Sequence, residues 1–242
     1  MGNSWFQFKQ FRIEQGSSSM KICSDSCLFA ALVAEKEAAR EKQPARILDP
    51  GCGTGLLGLM LAQKLPGAQI TAVEKHAGSA ADCRLNYAAS PWSNRMQLLE
   101  GDFLSMQIPQ KFDSIVCNPP FFIAHLQSPE SGRNAALHIE KNELALWIGR
   151  MSDLLLPDGR IWLLLDENAG RKVVDMARMQ GLQVNEQINF LRHPERIFRM
   201  VFCFVRGNVA NTKSGNMLVI NEKGRLTGPG CSLLEDYYLN AG

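Results

Sequence analysis

From Ala45 to Arg206 short apolar runs alternate with stretches of helical spacing, an order that a layered α/β architecture accommodates. Ala45–Asp49 reads as a buried strand, and Gln69–Glu74, Met96–Glu100, Phe112–Cys117 and Arg160–Leu165 read as further strands. Leu56–Leu65, Ser79–Ala89, Glu143–Leu156 and Ala169–Met179 read as helices between strands, with stops such as Pro66-Gly67 and Pro157-Asp158-Gly159. Two further strands, Gln183–Phe190 and Ile197–Arg206, are joined by a few residues around His193-Pro194. So short a link has no room for a crossover helix, so this pair runs antiparallel. The expectation is a seven-stranded, mostly parallel sheet with an antiparallel last strand and helices on both faces.

The flanks differ in character. Phe6, Phe8, Phe11 and Ile13 alternate with polar residues, and Gly16 with three serines then makes a turn before Met20–Cys23. This predicts a hairpin, followed by a helix entered at Ser24-Asp25 and running to about Lys42. After Gly207 only Met217–Ile220 and a terminal helix around Leu233–Leu239 stand out. We expect one domain over 1–242, with an N-terminal hairpin and helix (1–44), a core carrying cofactor site and catalysis (45–206), and a C-terminal extension (207–242).

Composition excludes several classes. The longest apolar runs, such as Cys27–Ala34, fall far short of the roughly 20 residues that cross a bilayer. The start carries no secretory pattern, and Phe6 stands where myristoylation wants Ser or Thr, so a cytoplasmic protein is expected. Seven cysteines without a C-x-x-C pair, and four scattered histidines, imply reduced thiols and no metal. A net charge of +2 neither demands nor excludes nucleic acid.

The run Asp49-Pro50-Gly51-Cys52-Gly53-Thr54-Gly55 joins a strand to a helix, where glycines let backbone approach a ligand closely. Gly53, Gly55 and Gly58 also satisfy the dinucleotide fingerprint, so a nicotinamide-dependent dehydrogenase has to be weighed. Asp49 argues against it, because a pyrophosphate is repelled where an ammonium or ordered water is welcomed. Glu74 at the second strand end can accept from a ribose diol, and Asp102 at the third can accept from an adenine amine with Phe103 beside the ring. These carboxylates around one glycine loop match S-adenosylmethionine, and Ala45–Arg206 resembles the class I S-adenosylmethionine-dependent methyltransferases, implying a Rossmann-like fold.

Asn118-Pro119-Pro120-Phe121 follows the fourth strand, at the carboxyl edge where such sheets bind ligands. The Asn118 side-chain oxygen and the Pro119 carbonyl can both accept from one NH₂ group. That pull favours a more tetrahedral nitrogen, whose lone pair can meet a methyl sulfonium in line. Phe121 offers a face for stacking a planar group. The tetrapeptide resembles the motif of methyltransferases acting on planar amines: adenine N6, cytosine N4, guanine N2 or a glutamine amide.

Phe6-Gln7-Phe8-Lys9-Gln10-Phe11 and Met20-Lys21-Ile22-Cys23-Ser24-Asp25, with Ser90-Pro91-Trp92, Leu218-Val219-Ile220 and Tyr237-Tyr238, extend the likeness over almost the whole chain. In these motifs it resembles the bacterial valine-tRNA adenine-N6 methyltransferases, which modify the adenosine 3′ of the anticodon, position 37. The family often has Tyr at Phe121; stacking survives that change, a phenol hydrogen bond does not. The resemblance implies tRNA as substrate and puts Asp25 and Lys21 near the cofactor. Phe121, Phe122 and Trp92 could stack an extruded base. Residues 123–140 read as a substrate lid with Arg133 as a phosphate contact. Arg192, His193, Arg196, Arg199 and Arg206 form a basic cluster, joined by Lys9, Arg12 and Lys21. An enzyme acting on ribosomal-RNA guanine or a protein glutamine, and a binding protein that kept the pocket, remain as other readings; a glutamine enzyme normally carries a helical N-terminal domain absent here.

Overall fold

The structure is a computed structural model describing residues 3–18, 21–119 and 133–240, with the backbone alone for 133–142. The N-terminal part comprises β1 (Trp5–Gln7), β2 (Arg12–Glu14) and α1 (Ser24–Ala38). Then come β3 (Arg46–Pro50), α2 (Leu56–Lys64), β4 (Gln69–Glu74), α3 (Ala77–Ala89), β5 (Met96–Glu100) and β6 (Phe112–Cys117). The second half holds α4 (Arg133–Leu154), β7 (Leu155–Leu165), α5 (Glu167–Met179), β8 (Leu182–His193) and β9 (Arg196–Arg206). β10 (Lys213–Leu218) and α6 (Gly228–Leu234) close the described chain.

The main sheet runs β10-β8-β9-β7-β6-β3-β4-β5. β9 is antiparallel to both its neighbours, β7 and β8, and the other pairings are parallel. The seven expected strands are therefore all present, and an eighth, β10, joins the edge beside β8. Its first four residues, Lys213-Ser214-Gly215-Asn216, are exposed, and only Met217-Leu218, from the apolar stretch Met217–Ile220, are half-buried.

Successive strand residues serve opposite faces. Ile47, Trp162, Val201 and Cys203 pack with α1, α2 and α3, while Leu48, Leu163, Phe202 and Phe204 pack with α4 and α5. Burial on both faces is why these strands read as continuous apolar runs. Trp162 also donates from Nε1 to the fully buried Glu37 Oε1 at 2.6 Å, fixing α1 to the sheet.

The N-terminal hairpin lies earlier than expected. β1 pairs with β2 around Phe8–Phe11, where Phe8 N donates to Phe11 O at 2.8 Å, and Gly16 lies outside it. Burial decides this register: the Phe8 and Phe11 rings stack at 4.4 Å, and Phe8 bridges to Tyr238 near the other terminus. α1 ends at Ala38 rather than Lys42, because Arg40–Gln43 offers nothing apolar to bury. α6 starts earlier than expected, capped by Thr227, whose side chain accepts from Gly230 N. Residues 133–140, expected in the lid, form the first turns of α4.

Candidate active site

The carboxyl ends of β3, β4, β5 and β6 surround a cavity of about 270 Å³. Gly51 and Gly53 line it in left-handed conformation, φ 70° and 56°. The loop is anchored to the next strand, since Gly51 N and Cys52 N both donate to Val73 O, at 2.8 and 3.1 Å. Glu74, also on the wall, accepts from Gly53 N through Oε2 and from His76 N through Oε1, each at 2.8 Å. A carboxylate has about four acceptor positions, so two remain for a ligand.

Asp102 reaches the wall with Oδ1 accepting from Leu104 N at 2.9 Å and Oδ2 lying 3.9 Å from Lys75 Nζ. Phe103 is buried there against Trp147 of α4, ring centroids 4.9 Å apart. Across the cavity stands Asn118, at the end of β6, with its Nδ2 donating to Ser26 Oγ at 2.9 Å. Pro119, the next residue, is buried and is not part of the cavity wall.

Three expected cofactor residues lie behind the wall rather than on it. Asp49 is wholly buried beneath the loop, where Oδ2 accepts from Gly58 N at 3.3 Å and Oδ1 has no partner. Burial pushes its carboxyl up to about 8, opposed by the Gly58 amide and assisted by the Glu74 charge. Gly55 serves packing: at φ 81°, its added Cβ would lie 2.5 Å from Tyr87 Cε1 and 2.8 Å from Cys83 Sγ. Asp25 faces Arg199, whose Nε donates to its Oδ2 at 2.8 Å, and the neighbouring Ser26 takes the place on the wall. Phe121 and Phe122 lie outside the described residues, as does the side chain of Arg133.

Sequence reasoning missed Ser26 and Trp147. Trp147 belongs to the apolar stripe Leu144–Trp147–Ile148–Met151, and Ser26 to a helix start, so neither carries a local signal. His76 was legible in principle, as a residue following a strand-end carboxylate and capping a helix.

The basic cluster divides. β9 runs against the sheet, so its start, with Arg196 and Arg199, shares the catalytic edge with Arg192 and His193 at the end of β8. Arg206 lies at the opposite edge, paired with Leu182 and donating to Ser152, and leaves the cluster. Lys9 is spent on Glu235 O, and Arg12 on Glu14 and the Trp5 ring. All cysteines are free thiols, five of them buried. Among the described residues no group of His, Cys, Asp or Glu is placed to hold a metal, and no helix is long and apolar enough to cross a membrane.

The Gly53 amide, which a pyrophosphate would need, is spent on a carboxylate. A cationic amino acid joined to an adenosine suits the set better: a buried orphan oxygen lies under the loop, and the acidic Glu74 and Asp102 stand on the wall. The fold and this cavity define a class I methyltransferase using S-adenosyl-L-methionine. Residues 26–180 match the model of the methyltransferase small domain family. Among solved structures, a predicted O-methyltransferase from Agrobacterium tumefaciens aligns with TM-score 0.63 at 20% identity, over 88% of this chain and 96% of that one. The tRNA1(Val) (adenine(37)-N6)-methyltransferase of Pedobacter heparinus is 33% identical over 97% of each chain. That of Bacteroides thetaiotaomicron is 36% identical over 80% of each, and that of Vibrio cholerae 32% over 98% of this chain and 96% of its own. The chain belongs to the tRNA1(Val) (adenine(37)-N6)-methyltransferase family.

Proposed function

We propose that this chain methylates N6 of an adenine in tRNA, the adenosine at position 37 of a valine tRNA, in the cytoplasm. The observation that carries the proposal is Asn118, seated at the end of β6 on the wall of the cofactor cavity. S-adenosylmethionine, when bound, supplies a methyl group carried on a sulfonium. Glu74 takes the ribose diol, Asp102 the adenine amine with Phe103 beside the ring, and Gly51 and Gly53 line the backbone cradle. Asp49 supplies negative charge to the ammonium from beneath.

The Asn118 oxygen and the Pro119 carbonyl accept the two N–H bonds of the substrate amine and draw its lone pair out of conjugation. No strong base is needed, because the nitrogen becomes acidic as charge develops and its proton leaves to water. Phe121 and Phe122 stack the extruded base, and Arg133 meets a phosphate. Arg192 and Arg196, on the same edge of the sheet, neutralise further phosphates, while Arg199 is held by Asp25.

The test is methylation of unmodified tRNA transcripts with labelled cofactor, followed by mapping of the labelled nucleotide. Asn118→Ala is expected to keep affinity for S-adenosylhomocysteine and to lose transfer by a factor of about 10² or more. Near-normal turnover in that variant, or label on a guanine or a protein glutamine, overturns the assignment.

A further inference from the structure

Asn118 can present its oxygen to a substrate amine only if the planar carboxamide is held against rotation. An amide free to flip would offer its NH₂ group to the substrate NH₂ half the time, donor against donor. The restraint is visible in the structure, and it comes from a distant part of the chain. Ser26, in the first turn of α1, accepts from Asn118 Nδ2 at 2.9 Å across 92 positions of sequence. The Ser26 hydroxyl carries one hydrogen and two lone pairs. Cys23 Sγ lies 3.1 Å from it, where it can take that hydrogen, so a lone pair is left to face the Asn118 N–H.

Ser26 is itself held in place. Its backbone N donates to Asp25 Oδ1 at 3.1 Å, and the other Asp25 oxygen is bound by Arg199 at 2.8 Å. The first turn of α1 is thereby tied to the start of β9, on the same edge of the sheet. The Asp25 side chain is 9% exposed and that of Arg199 35%, so the pair is shielded on the carboxylate side.

We infer that Ser26 is a positioning residue for methyl transfer: its hydroxyl holds the Asn118 amide with nitrogen toward α1 and leaves the oxygen for the substrate amine. The inference rests on Asn118 being the residue that meets that amine. A group acting this way changes turnover rather than cofactor binding, and a small loss of alignment at the reacting centre is costly.

The experiment compares wild type, Ser26→Ala, Ser26→Thr and Asn118→Ala. It reads kcat and KM on tRNA transcript, S-adenosylhomocysteine affinity by calorimetry, and melting temperature. Ser26→Ala is expected to lower kcat by about tenfold to a hundredfold, with S-adenosylhomocysteine affinity within about twofold of wild type. Ser26→Thr, which keeps the hydroxyl, is expected to recover most of the loss. If Asn118→Ala is inactive while Ser26→Ala turns over normally, the role of Ser26 is overturned and that of Asn118 stands. Equal losses of kcat and cofactor affinity in Ser26→Ala, or no recovery in a well-folded Ser26→Thr, also overturn it, since a merely structural serine behaves that way. Normal turnover in Asn118→Ala removes the underlying reading, and this inference with it.

Discussion

The buried Asp49 gives a sharp pH prediction. Its carboxyl stands at about 8 in the folded chain against an ordinary 3.8, because burial penalises the charged form more than the single Gly58 amide repays. Between those values the folded state holds a proton that the unfolded state has released, so stability falls as pH rises. The slope is about −1.4 kcal/mol per pH unit across the window, and at pH 7 the accumulated loss is about 4 kcal/mol. Asp49→Asn cannot ionise, and its oxygen can keep the Gly58 bond. Protonated Asp leaves one polar hydrogen without a partner and Asn leaves two, a difference that does not vary with pH and so offsets the comparison without changing its trend. The stability of the variant relative to wild type, without cofactor, is therefore expected to rise from pH 5 to pH 8. The check is urea unfolding of both proteins at pH 5, 6, 7 and 8. A stability difference that stays constant over that range refutes the reasoning. S-adenosylhomocysteine supplies the cation that the carboxylate lacks, so wild-type affinity for it is expected to rise from pH 6 to 8, and the variant's to stay flat.

Two other substitutions probe the loop and the RNA edge. An added Cβ at Gly58 would overlap the Tyr87 hydroxyl, which is buried without a partner. Gly58→Ala is thus expected to cost about 1–3 kcal/mol, and Tyr87→Phe to be neutral alone and to restore most of the loss when combined, by thermal unfolding. Arg192, stacked 4.8 Å over Phe198 on the catalytic edge, is placed to meet a phosphate. Arg192→Ala is expected to raise KM for tRNA, leave kcat unchanged and reduce the slope of log affinity against log salt by about 1. An unchanged slope removes Arg192 from the interface.

Legibility followed the range of the interactions. β4, β5 and β6 match their sequence-derived limits, β5 and β6 running straight into Gly101 and Asn118-Pro119, and Glu74 closes β4 as expected. Gly51, Gly53 and Asn118 were legible as parts of the wall because each follows a strand end in a motif of consecutive residues. β10 was legible only at its Met217-Leu218 end, because an edge strand paired on one side only can begin in exposed residues. The hairpin register went astray because Gly16 is a strong local turn signal, while burial of Phe8 and Phe11 against Tyr238 and Trp92 is a long-range effect. The placing of Asp25 followed a family pattern, and Arg199, on a strand far along the chain, decided its partner instead.

The parallel strands alone would leave the cavity open on one side. Ser18, Lys21, Ile22 and Ser26 supply that side, and α3 holds the segment that carries them. Asn86 accepts from Glu14 N at 2.7 Å and donates to both Glu14 O and Thr54 O at 2.9 Å, clamping the hairpin to the glycine loop. Asp82 accepts from Ser17 N at 2.9 Å, and Ser79 meets Ser18 at 3.2 Å. α3 begins just after Glu74, the carboxylate assigned to the ribose. One helix therefore braces the cofactor loop and the N-terminal wall together, while α1 carries the same wall on to Asn118. The N-terminal residues are thus structural members of the cavity wall, although they stand far from the glycine loop in sequence.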